Sequence, residues 1–334
     1  MIAVAGKTPV FKTGEINGLV AFSKHKLSQN YKRGDGSYAQ DSEYMIPLEQ
    51  HPESYLAKFA VKPDQNSEIK LSARTYKNNI GGRDINSKTY MLESKYNPSK
   101  LVDLSLLMSH SKTSQIYDED ARLWTIQKAS TKNTSNYLDI HNKSEINLAK
   151  NTDLTLKYGA TYLKNNYLRT VPFEGNDIEA IRNLALSPAG TQETKSLYFN
   201  TELNWGIVSL TPEISYSHYK LTGISPACDS DDAVYCTIPE EVKINNKHNI
   251  VNPSIGLAVN MTDWLQPFAR YYHTSRPVNV QEMFNTSRNG LTVNSNLRPE
   301  KAKTYELGLN ISKDKLFTNN DIFGLKVIYF KGLY

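Results

Sequence analysis

Apolar and polar residues alternate with a period of two along almost the whole chain, and helical periodicity is nearly absent. In 153–163, threonine, lysine and glycine occupy one face of the alternation. The other face carries Leu154, Leu156, Tyr158, Ala160 and Tyr162. The same pattern appears in 207–219, 302–311 and 321–330. A period of two with a single apolar face indicates β-strands that bury one side only.

The pattern predicts about thirteen strands, bounded by turn-forming residues. The predicted strands lie at 16–31, 54–62, 68–77, 88–97, 100–110, 135–149, 153–163, 195–205, 207–219, 247–260, 264–274, 302–312 and 321–330. The pattern of 264–274 is ambiguous, because Leu265 and Phe268 fall on opposite faces. Many of these strands are close to the ~9–11 residues that cross a bilayer at a tilt.

The predicted connections alternate between short and long. Asn, Asp, Pro and Gly concentrate in the short connections, as tight turns require. Long polar loops are predicted near 32–53, 111–134, 164–194, 220–246 and 275–301. Short turns at one edge and long loops at the other are typical of an outer-membrane barrel, in which the turns are periplasmic and the loops extracellular.

Although the composition resembles that of a soluble protein, it agrees with a membrane barrel. The 334 residues include 21 tyrosines, but only 39% are hydrophobic and the mean hydropathy is −0.53. In a barrel only the outward side chains are apolar, so a low mean hydropathy is expected. A soluble β-sandwich does not require loops of alternating length, and a β-propeller would repeat every ~40–50 residues. We therefore predict an all-β fold, an antiparallel transmembrane β-barrel.

Charge and cysteine content exclude several other classes. A net charge of +5 spread over both signs is too diffuse for a nucleic-acid binder. No stretch approaches the ~18 apolar residues of a membrane-spanning helix. Two cysteines exclude a disulfide-rich scaffold and argue against a structural zinc cluster. Neither a metal site nor a resident cofactor is predicted.

A motif lies in 271–310, with a supporting segment at 252–257. Its first part is Ser275-Arg276-Pro277-Val278, and its second is Asn294-Ser295-Asn296-Leu297. This arrangement resembles the TonB-dependent outer-membrane receptors, and within them the haem and haemoglobin receptors, which carry a Phe-Arg-Ala-Pro box and an Asn-Pro-Asn-Leu box around one extracellular loop. The first box keeps only Arg276 in register, and Ser295 replaces the proline of the second. The residues that match the wider receptor pattern are Arg276, Glu282, Phe284, Asn294, Asn296, Leu297, Pro299, Glu300, Tyr305, Glu306 and Gly308.

The resemblance implies a plugged barrel of 22 strands, with the two-box loop between strands 13 and 14. The strand at 302–312 is the twelfth predicted here and corresponds to strand 14, so the first predicted strand corresponds to strand 3. Residues 1–334 are then expected to form part of one barrel domain, about thirteen of its 22 strands. The plug, the TonB box and the remaining strands are expected to lie outside them. Such a chain is either an internal piece or the product of an interrupted reading frame.

The function implied by the resemblance is uptake of an iron source across the bacterial outer membrane. The expected cargo is haem or a haem-protein captured on the extracellular side, and the expected energy source is the TonB complex, reached through the plug and TonB box. The expected surroundings are outer-membrane lipid. A siderophore receptor and a non-transporting β-rich surface binding protein are the alternatives. Barrel enzymes need an Asp/His or Ser/His set at the rim, and since we find none, the chain is not predicted to be an enzyme.

Haem capture needs an axial donor, which is usually histidine. The family's typical histidine lies between the two boxes, but Asn285–Val293 contains none. His273, immediately before the first box, is either a displaced ligand or a rim histidine in an aromatic belt. His51 is a candidate in a predicted long loop. Arg276 is either a bidentate donor to a haem propionate or a rim arginine facing water.

The other candidates have weaker patterns around them. His110 and His218 end predicted strands and suit the rim, and His25, His141 and His248 lack partners at ligand-like spacing. Tyr167 and Phe173 are either ligand contacts or self-packing loop aromatics. Glu300 and Glu306 are expected to act in strand pairing or lumen hydrogen bonding.

Cys228 and Cys236 bracket a short acidic stretch in the predicted loop 220–246. A metal or redox pair is not supported, because the spacing is not Cys-X-X-Cys. We predict a local disulfide, since the cell surface is an oxidising environment.

Overall fold

The computed structural model describes residues 1–10, 13–28, 49–80, 83–117, 129–170, 189–227, 240–284 and 295–333. They form one antiparallel sheet and a single short helix, α1, at Val280–Phe284. The strands are β1 Ile2–Val10, β2 Gly14–Lys24, β3 Leu27–Ser28, β4 Glu49–Gln50, β5 Glu53–Lys62, β6 Ser67–Ile80, β7 Arg83–Ser99, β8 Val102–Tyr117, β9 Ala129–Ala149, β10 Thr152–Thr170, β11 Gly190–Trp205, β12 Val208–Ala227, β13 Glu240–Val259, β14 Leu265–Arg276, β15 Glu300–Asp314 and β16 Ile322–Leu333.

Every long strand pairs with its neighbour in sequence, from β1 through β16, and only the two-residue strands β3 and β4 leave this path. The sheet is a meander, and its β1 and β16 ends do not pair with each other in the described part of the chain. This is the predicted antiparallel barrel wall, in an open form.

The two edges of the sheet differ in the length of their connections, as predicted. We call them the turn edge and the loop edge. At the turn edge, β9 and β10 join through Lys150-Asn151 and β11 and β12 through Gly206-Ile207. Asn151 and Gly206 adopt φ angles of 64° and 58°, in the left-handed region that Gly and Asn enter most readily. The loop edge carries the longer connections, including 171–189 and 277–299.

One face of the sheet is apolar across the strands. Directly paired residues form continuous rows, since partners in an antiparallel ladder lie on the same face. One such row runs through Leu154, Leu203, Leu210, Leu257, Ala269, Leu307 and Tyr329. Many of these side chains are solvent-exposed; Leu307, for example, is 59% exposed. A large exposed apolar face indicates a surface that contacts lipid rather than water.

The opposite face is polar, and several of its charges are paired. Lys62 lies 3.3 Å from Glu15 and 3.7 Å from Glu68, which also lies 2.8 Å from Lys70. Further along the sheet, Asp139 accepts hydrogen bonds from His141 at 3.0 Å and Tyr198 at 3.2 Å. Polar side chains bonded to one another are what a water-facing lumen requires.

The structure corrects the prediction at one strand. Ile2–Val10 forms β1, although no strand was predicted there. Ile2-Ala3-Val4-Ala5 is apolar at successive positions, so it carries no period of two to detect. With β1 included, the strand at 300–314 becomes the thirteenth long strand rather than the twelfth, and the expected register of the first strand shifts by one.

The strands also extend farther than predicted at the loop edge. The predicted loop 111–134 contains strand up to Tyr117 and from Ala129, and the shorter connection predicted at 78–87 is strand up to Ile80 and from Arg83. Beyond the apolar rows both faces of these strands are polar, so the hydrophobic alternation stops while the backbone ladder continues. The helix α1 within the predicted loop 275–301 was not anticipated.

The buried core lies at the loop edge, on the polar face. Its members are Tyr219, Leu221, Ile244, Val278, Val280 and Met283. Three come from β12 and β13 and three from the segment after β14. Within the described ranges, no helix is long and apolar enough to cross a membrane.

Candidate functional site

The segment after β14 folds back over the polar face of β12 and β13. We call residues 277–284 the first arm and residues 295–299 the second arm. In the first arm, Val278, Val280 and Met283 are buried. The Tyr219 hydroxyl on β12 donates a hydrogen bond to the Val278 carbonyl. Apolar burial and this bond attach the first arm to the sheet.

The second arm is held by side chains of β13. Asn246 Nδ2 donates to the carbonyls of Ser295 at 3.3 Å and Leu297 at 2.9 Å. His248 Nε2 donates to the same Leu297 carbonyl at 3.3 Å. The Leu297 side chain packs against the buried core. Both arms therefore converge on one patch of the polar face, at its loop edge.

Arg276 joins the first arm to the start of β15. Its guanidinium lies 2.7 Å from Glu282 in the first arm and 2.8 Å from Glu300 at the start of β15, and its Nε donates to Glu300 at 3.1 Å. Two carboxylates thus contact the guanidinium, while the Arg276 side chain remains 47% exposed. The ligand-contact and water-facing rim roles of Arg276 both stay predictions.

Glu282 also stabilises the start of α1. Asn279 Oδ1 accepts from the Glu282 amide at 2.8 Å, and Glu282 Oε2 accepts from the Asn279 amide at 2.9 Å. This is the reciprocal arrangement of a capping box. Burial pushes the pKa of Glu282 upward, but the Asn279 amide and the Arg276 charge outweigh it and hold the pKa below its ordinary value.

The last motif residues shape the wall next to the arms. Glu306 accepts a hydrogen bond from the Tyr272 hydroxyl at 3.0 Å on the polar face, while the Tyr305 and Tyr271 rings lie 5.0 Å apart on the apolar face. Gly308 lies directly under the Phe268 ring, and a Cβ at that position would overlap the ring. Phe268 thus points to the polar face, which explains the broken alternation of its strand.

A cavity of about 850 Å³ opens beside the second arm. It exists because β13 and β14 pair only between Ser254–Ala258 and Phe268–Tyr272. Above this ladder, Asn252 Oδ1 accepts the Ser275 amide at 2.8 Å and the strands separate. His248, His273, Ser275, Arg298 and Lys301 line the gap.

The cavity brings together two histidines that sequence spacing did not connect. The Nε2 atom of His273 is buried and has no hydrogen-bond partner among the described residues. Arg298 is exposed, and no carboxylate pairs with it in the described part of the chain. One cavity is therefore lined by two imidazoles and a guanidinium, and of these His248 already bonds the Leu297 carbonyl.

The remaining candidates lie elsewhere. His51 follows β4, and its amide donates to the Asn79 carbonyl at 3.4 Å, near the other end of the sheet path. His110 and His218 hydrogen-bond to Asn136 and Asn249 on the apolar face. Tyr167 packs against the buried core, as the self-packing interpretation expects. Cys228, Cys236, Phe173 and Asn294 lie outside the described residues, and the disulfide stays a prediction.

The remaining motif residues lie near the arms. Phe284 ends α1, Asn296 is exposed in the second arm, and Pro299 lines the cavity. Within the described ranges, no group of three or more His, Cys, Asp or Glu side chains is placed to hold a metal ion.

Sequence reasoning missed the residues that receive the arms. Tyr219, Leu221, Ile244 and Asn246 all lie on the polar face near the loop edge. Three of them are apolar or aromatic in a row that is otherwise polar. That exception was a detectable signal that some other segment covers this part of the sheet.

Comparison with known proteins gives a consistent picture. Residues 24–331 match the family model described as TonB dependent receptor-like, beta-barrel. A probable TonB-dependent receptor of Haemophilus influenzae is 29% identical over 92% of this chain and 36% of the relative. TonB-dependent heme receptor A of the same species is 25% identical over 80% of this chain and 38% of the relative. The chain thus spans little more than a third of these curated relatives.

Solved structures share the fold. The hemophore receptor HasR of Serratia marcescens, determined with its hemophore HasA and heme, superposes with a TM-score of 0.76 at 18% identity, covering 96% of this chain and half of that one. The alcaligin receptor FauA of Bordetella pertussis superposes with a TM-score of 0.62 at 13% identity, covering 99% of this chain and 48% of that one. At these identities the likeness concerns the barrel wall alone.

Proposed function

The chain belongs to the TonB-dependent receptor-like β-barrel family, and from that premise we propose that it forms part of a receptor that takes up haem or a haem-protein. Barrels of this family lie in the bacterial outer membrane and are receptors rather than enzymes. The apolar face of the sheet therefore contacts lipid, and the polar face lines the lumen. The loop edge is extracellular.

The observation that carries the proposal is the geometry of the two arms. The two arms, which carry residues of the boxes that resemble those of haem receptors, fold back over β12 and β13. Beside them, at the extracellular edge, His248, His273 and Arg298 line one cavity. Histidine is a usual axial donor to haem iron, and arginine is suited to a propionate. We assign the propionate contact to Arg298, because the Arg276 guanidinium already contacts Glu282 and Glu300.

Names of relatives support the same cargo. Several curated relatives from Haemophilus influenzae are named heme receptors or heme/hemopexin utilization proteins. The shared fold is not selective, since the ferric citrate transporter FecA and the alcaligin receptor FauA also share it. Haem is thus the proposed cargo, with the TonB complex as the proposed energy source.

A growth experiment with the intact gene product tests the proposal. A strain that lacks its own haem and siderophore receptors receives the gene and grows on haem, haemoglobin or a ferric siderophore as the only iron source. We expect TonB-dependent growth on haem or haemoglobin and none on the siderophore. Growth on the siderophore alone would establish the alternative cargo and contradict the proposal.

A binding experiment tests the cavity itself. Haem is titrated into the purified receptor and followed by its Soret absorbance. We expect His273→Ala and Arg298→Ala each to weaken binding about tenfold, and His273→Ala also to shift the Soret maximum. Lys157→Gln, an exposed lumen lysine away from the cavity, is the matched control. Equal haem affinity in all four proteins would remove the cavity from the binding site.

A further inference from the structure

A carboxylate on the polar face, Asp139 in the middle of β9, has partners unlike those of the other lumen carboxylates. It accepts hydrogen bonds from the His141 imidazole at 3.0 Å and from the Tyr198 hydroxyl at 3.2 Å. The Tyr137 hydroxyl donates to its second oxygen at 3.5 Å. Within the described residues, no lysine or arginine lies within 4 Å of this carboxylate, and its side chain is only 20% exposed. Three donors thus converge on one partly buried carboxylate that no lysine or arginine neutralises.

Three neighbouring strands bring the four side chains together. Tyr137, Asp139 and His141 occupy alternate positions of β9, so all three lie on the polar face. Tyr198 belongs to β11, and Gly159 on the intervening strand β10 is the direct partner of both Tyr198 and His141. A Cβ at Gly159 would lie 2.6 Å from the His141 Cβ and 2.8 Å from the Tyr198 hydroxyl. Because glycine has no side chain, the Tyr198 ring can cross β10 and reach Asp139.

The distances between these donor atoms suit a single bound metal ion. In an octahedral shell with metal–oxygen distances of about 2.1 Å, neighbouring donor atoms lie about 3 Å apart. His141 Nδ1 and Tyr198 Oη lie 3.0 Å and 3.2 Å from the same oxygen of Asp139. An ion among these atoms can therefore take the place of the protons that join them.

We propose that this cluster binds a ferric ion on the lumen wall. Imidazole and carboxylate groups bind iron in proteins, and the tyrosine oxygen does so too. The Asp139 carboxylate and the phenolates of Tyr137 and Tyr198 together balance the charge of Fe³⁺, with neutral His141 as a further ligand. On binding, each phenol gives its proton to water, and the imidazole keeps its proton on Nε2 while Nδ1 faces the metal. The site lies on β9–β11, apart from the cavity beside the second arm, and takes iron without a porphyrin.

The test uses the intact receptor in detergent, freed of metal by a chelator and titrated with ferric nitrilotriacetate. A phenolate bound to ferric iron gives a visible charge-transfer band that the chelate alone lacks. The variants are Asp139→Asn and Tyr198→Phe. The matched control is Tyr272→Phe, because the Tyr272 hydroxyl also donates to a lumen carboxylate, Glu306, at 3.0 Å. Heat-modifiable migration on gels confirms that each variant is folded.

We expect the parent and the control to develop the band with equal affinity. Asp139→Asn and Tyr198→Phe should each weaken ferric binding about tenfold or more, since loss of even an outer-shell partner costs about 10–100-fold in metal affinity. Tyr198→Phe should also lower the intensity of the band per bound ion. Ga³⁺, which has the same charge, should displace the iron, whereas Zn²⁺ at equal concentration should not.

A parent protein without the band would overturn the proposal, and so would equal ferric affinity in parent, variants and control. Displacement by Zn²⁺ as readily as by Ga³⁺ would overturn the assignment to ferric iron. No haem is added in these titrations, so their outcome is independent of the proposed haem uptake.

Discussion

The two faces of this wall differ in the way their charged side chains are arranged. On the lumen face, Lys62 and Lys70 contact glutamates, Asp139 is surrounded by donors, and Arg276 is held between Glu282 and Glu300. On the outward face at the extracellular edge, lysines oppose lysines. Several lumen charges are thus satisfied within the chain. At the outward edge, the ion pairs Lys24–Glu53 and Lys195–Glu193 lie in the same border as the opposed lysines.

The largest expected effect comes from placing a charged side chain on the apolar face. Leu156→Arg places a charge among the lipid-facing rows and should cost about 2–4 kcal/mol if the site is near the bilayer midplane. Thr155→Arg, one residue away, points into the lumen between the partner positions Glu145 and Glu202 and should be nearly neutral. Urea unfolding of the receptor in lipid vesicles measures both. Equal destabilisation by the two variants would contradict the assignment of the faces.

The first arm should depend on its helix cap. Asn279→Ala removes the side chain that receives the Glu282 amide and should favour local opening of the arm by about 1 kcal/mol. Faster amide hydrogen exchange in 280–284, with unchanged exchange in the strands, is the expected result. Ser295→Ala is the control, because Ser295 contacts Asn246 through its backbone carbonyl. Unchanged exchange in α1 would show that the cap does not hold the arm.

Removing a single lysine should change the unfolding free energy by a smaller amount, and with opposite sign on the two faces. In neutral detergent without lipid, Lys112→Gln relieves the repulsion from Lys88 and should raise the unfolding free energy by a few tenths of a kcal/mol. Lys62→Gln removes contacts to Glu15 and Glu68 and should lower the unfolding free energy slightly. Chemical unfolding midpoints measure both signs. The same sign for both variants would remove the distinction between the faces.

The smallest effect is the response of the arms to acid. The pKa of Glu282 is lower in the folded arm than its ordinary value, so its stabilisation is full above the unfolded pKa of about 4.3 and is lost as the pH falls through the folded pKa. Limited digestion with an acid-active protease should therefore cut the arm faster as the pH falls below about 4. Glu282→Gln should flatten this response, and an unchanged pH profile in that variant would exclude Glu282 as its source.

The sequence was most informative where a single physical constraint acts along a strand. Lipid on one side and water on the other impose the alternation of 153–163, so that strand and its apolar face were predictable. The strand ends were not predictable, because beyond the membrane both faces of a strand such as β8 are polar. The strand Ile2–Val10 was not predicted for a different reason, since Ile2-Ala3-Val4-Ala5 is apolar on both faces.

The candidate site was predictable only in part. The boxes around Arg276 and Leu297 located the segment, but their roles depend on contacts between residues far apart in sequence. The pairing of Tyr219 with Val278 and of Asn246 with Leu297 spans about fifty residues or more. His248 and His273 share a cavity only because β13 and β14 separate above Ser254. No pattern in the neighbouring sequence indicates where the pairing of β13 with β14 ends.

The assignment of the two faces is tested most directly by a spin-label scan along 153–163 in the intact receptor, reconstituted in lipid with Cys228, Cys236 and any other native cysteine replaced by serine. Collision rates with oxygen, which concentrates in lipid, and with a water-soluble nickel chelate report the surroundings of each label. We expect the collision rate with oxygen to be maximal at 154, 156, 158, 160 and 162, and the collision rate with the nickel chelate to be maximal at the positions between them. Oxygen maxima at the odd-numbered positions, or no alternation, would contradict it.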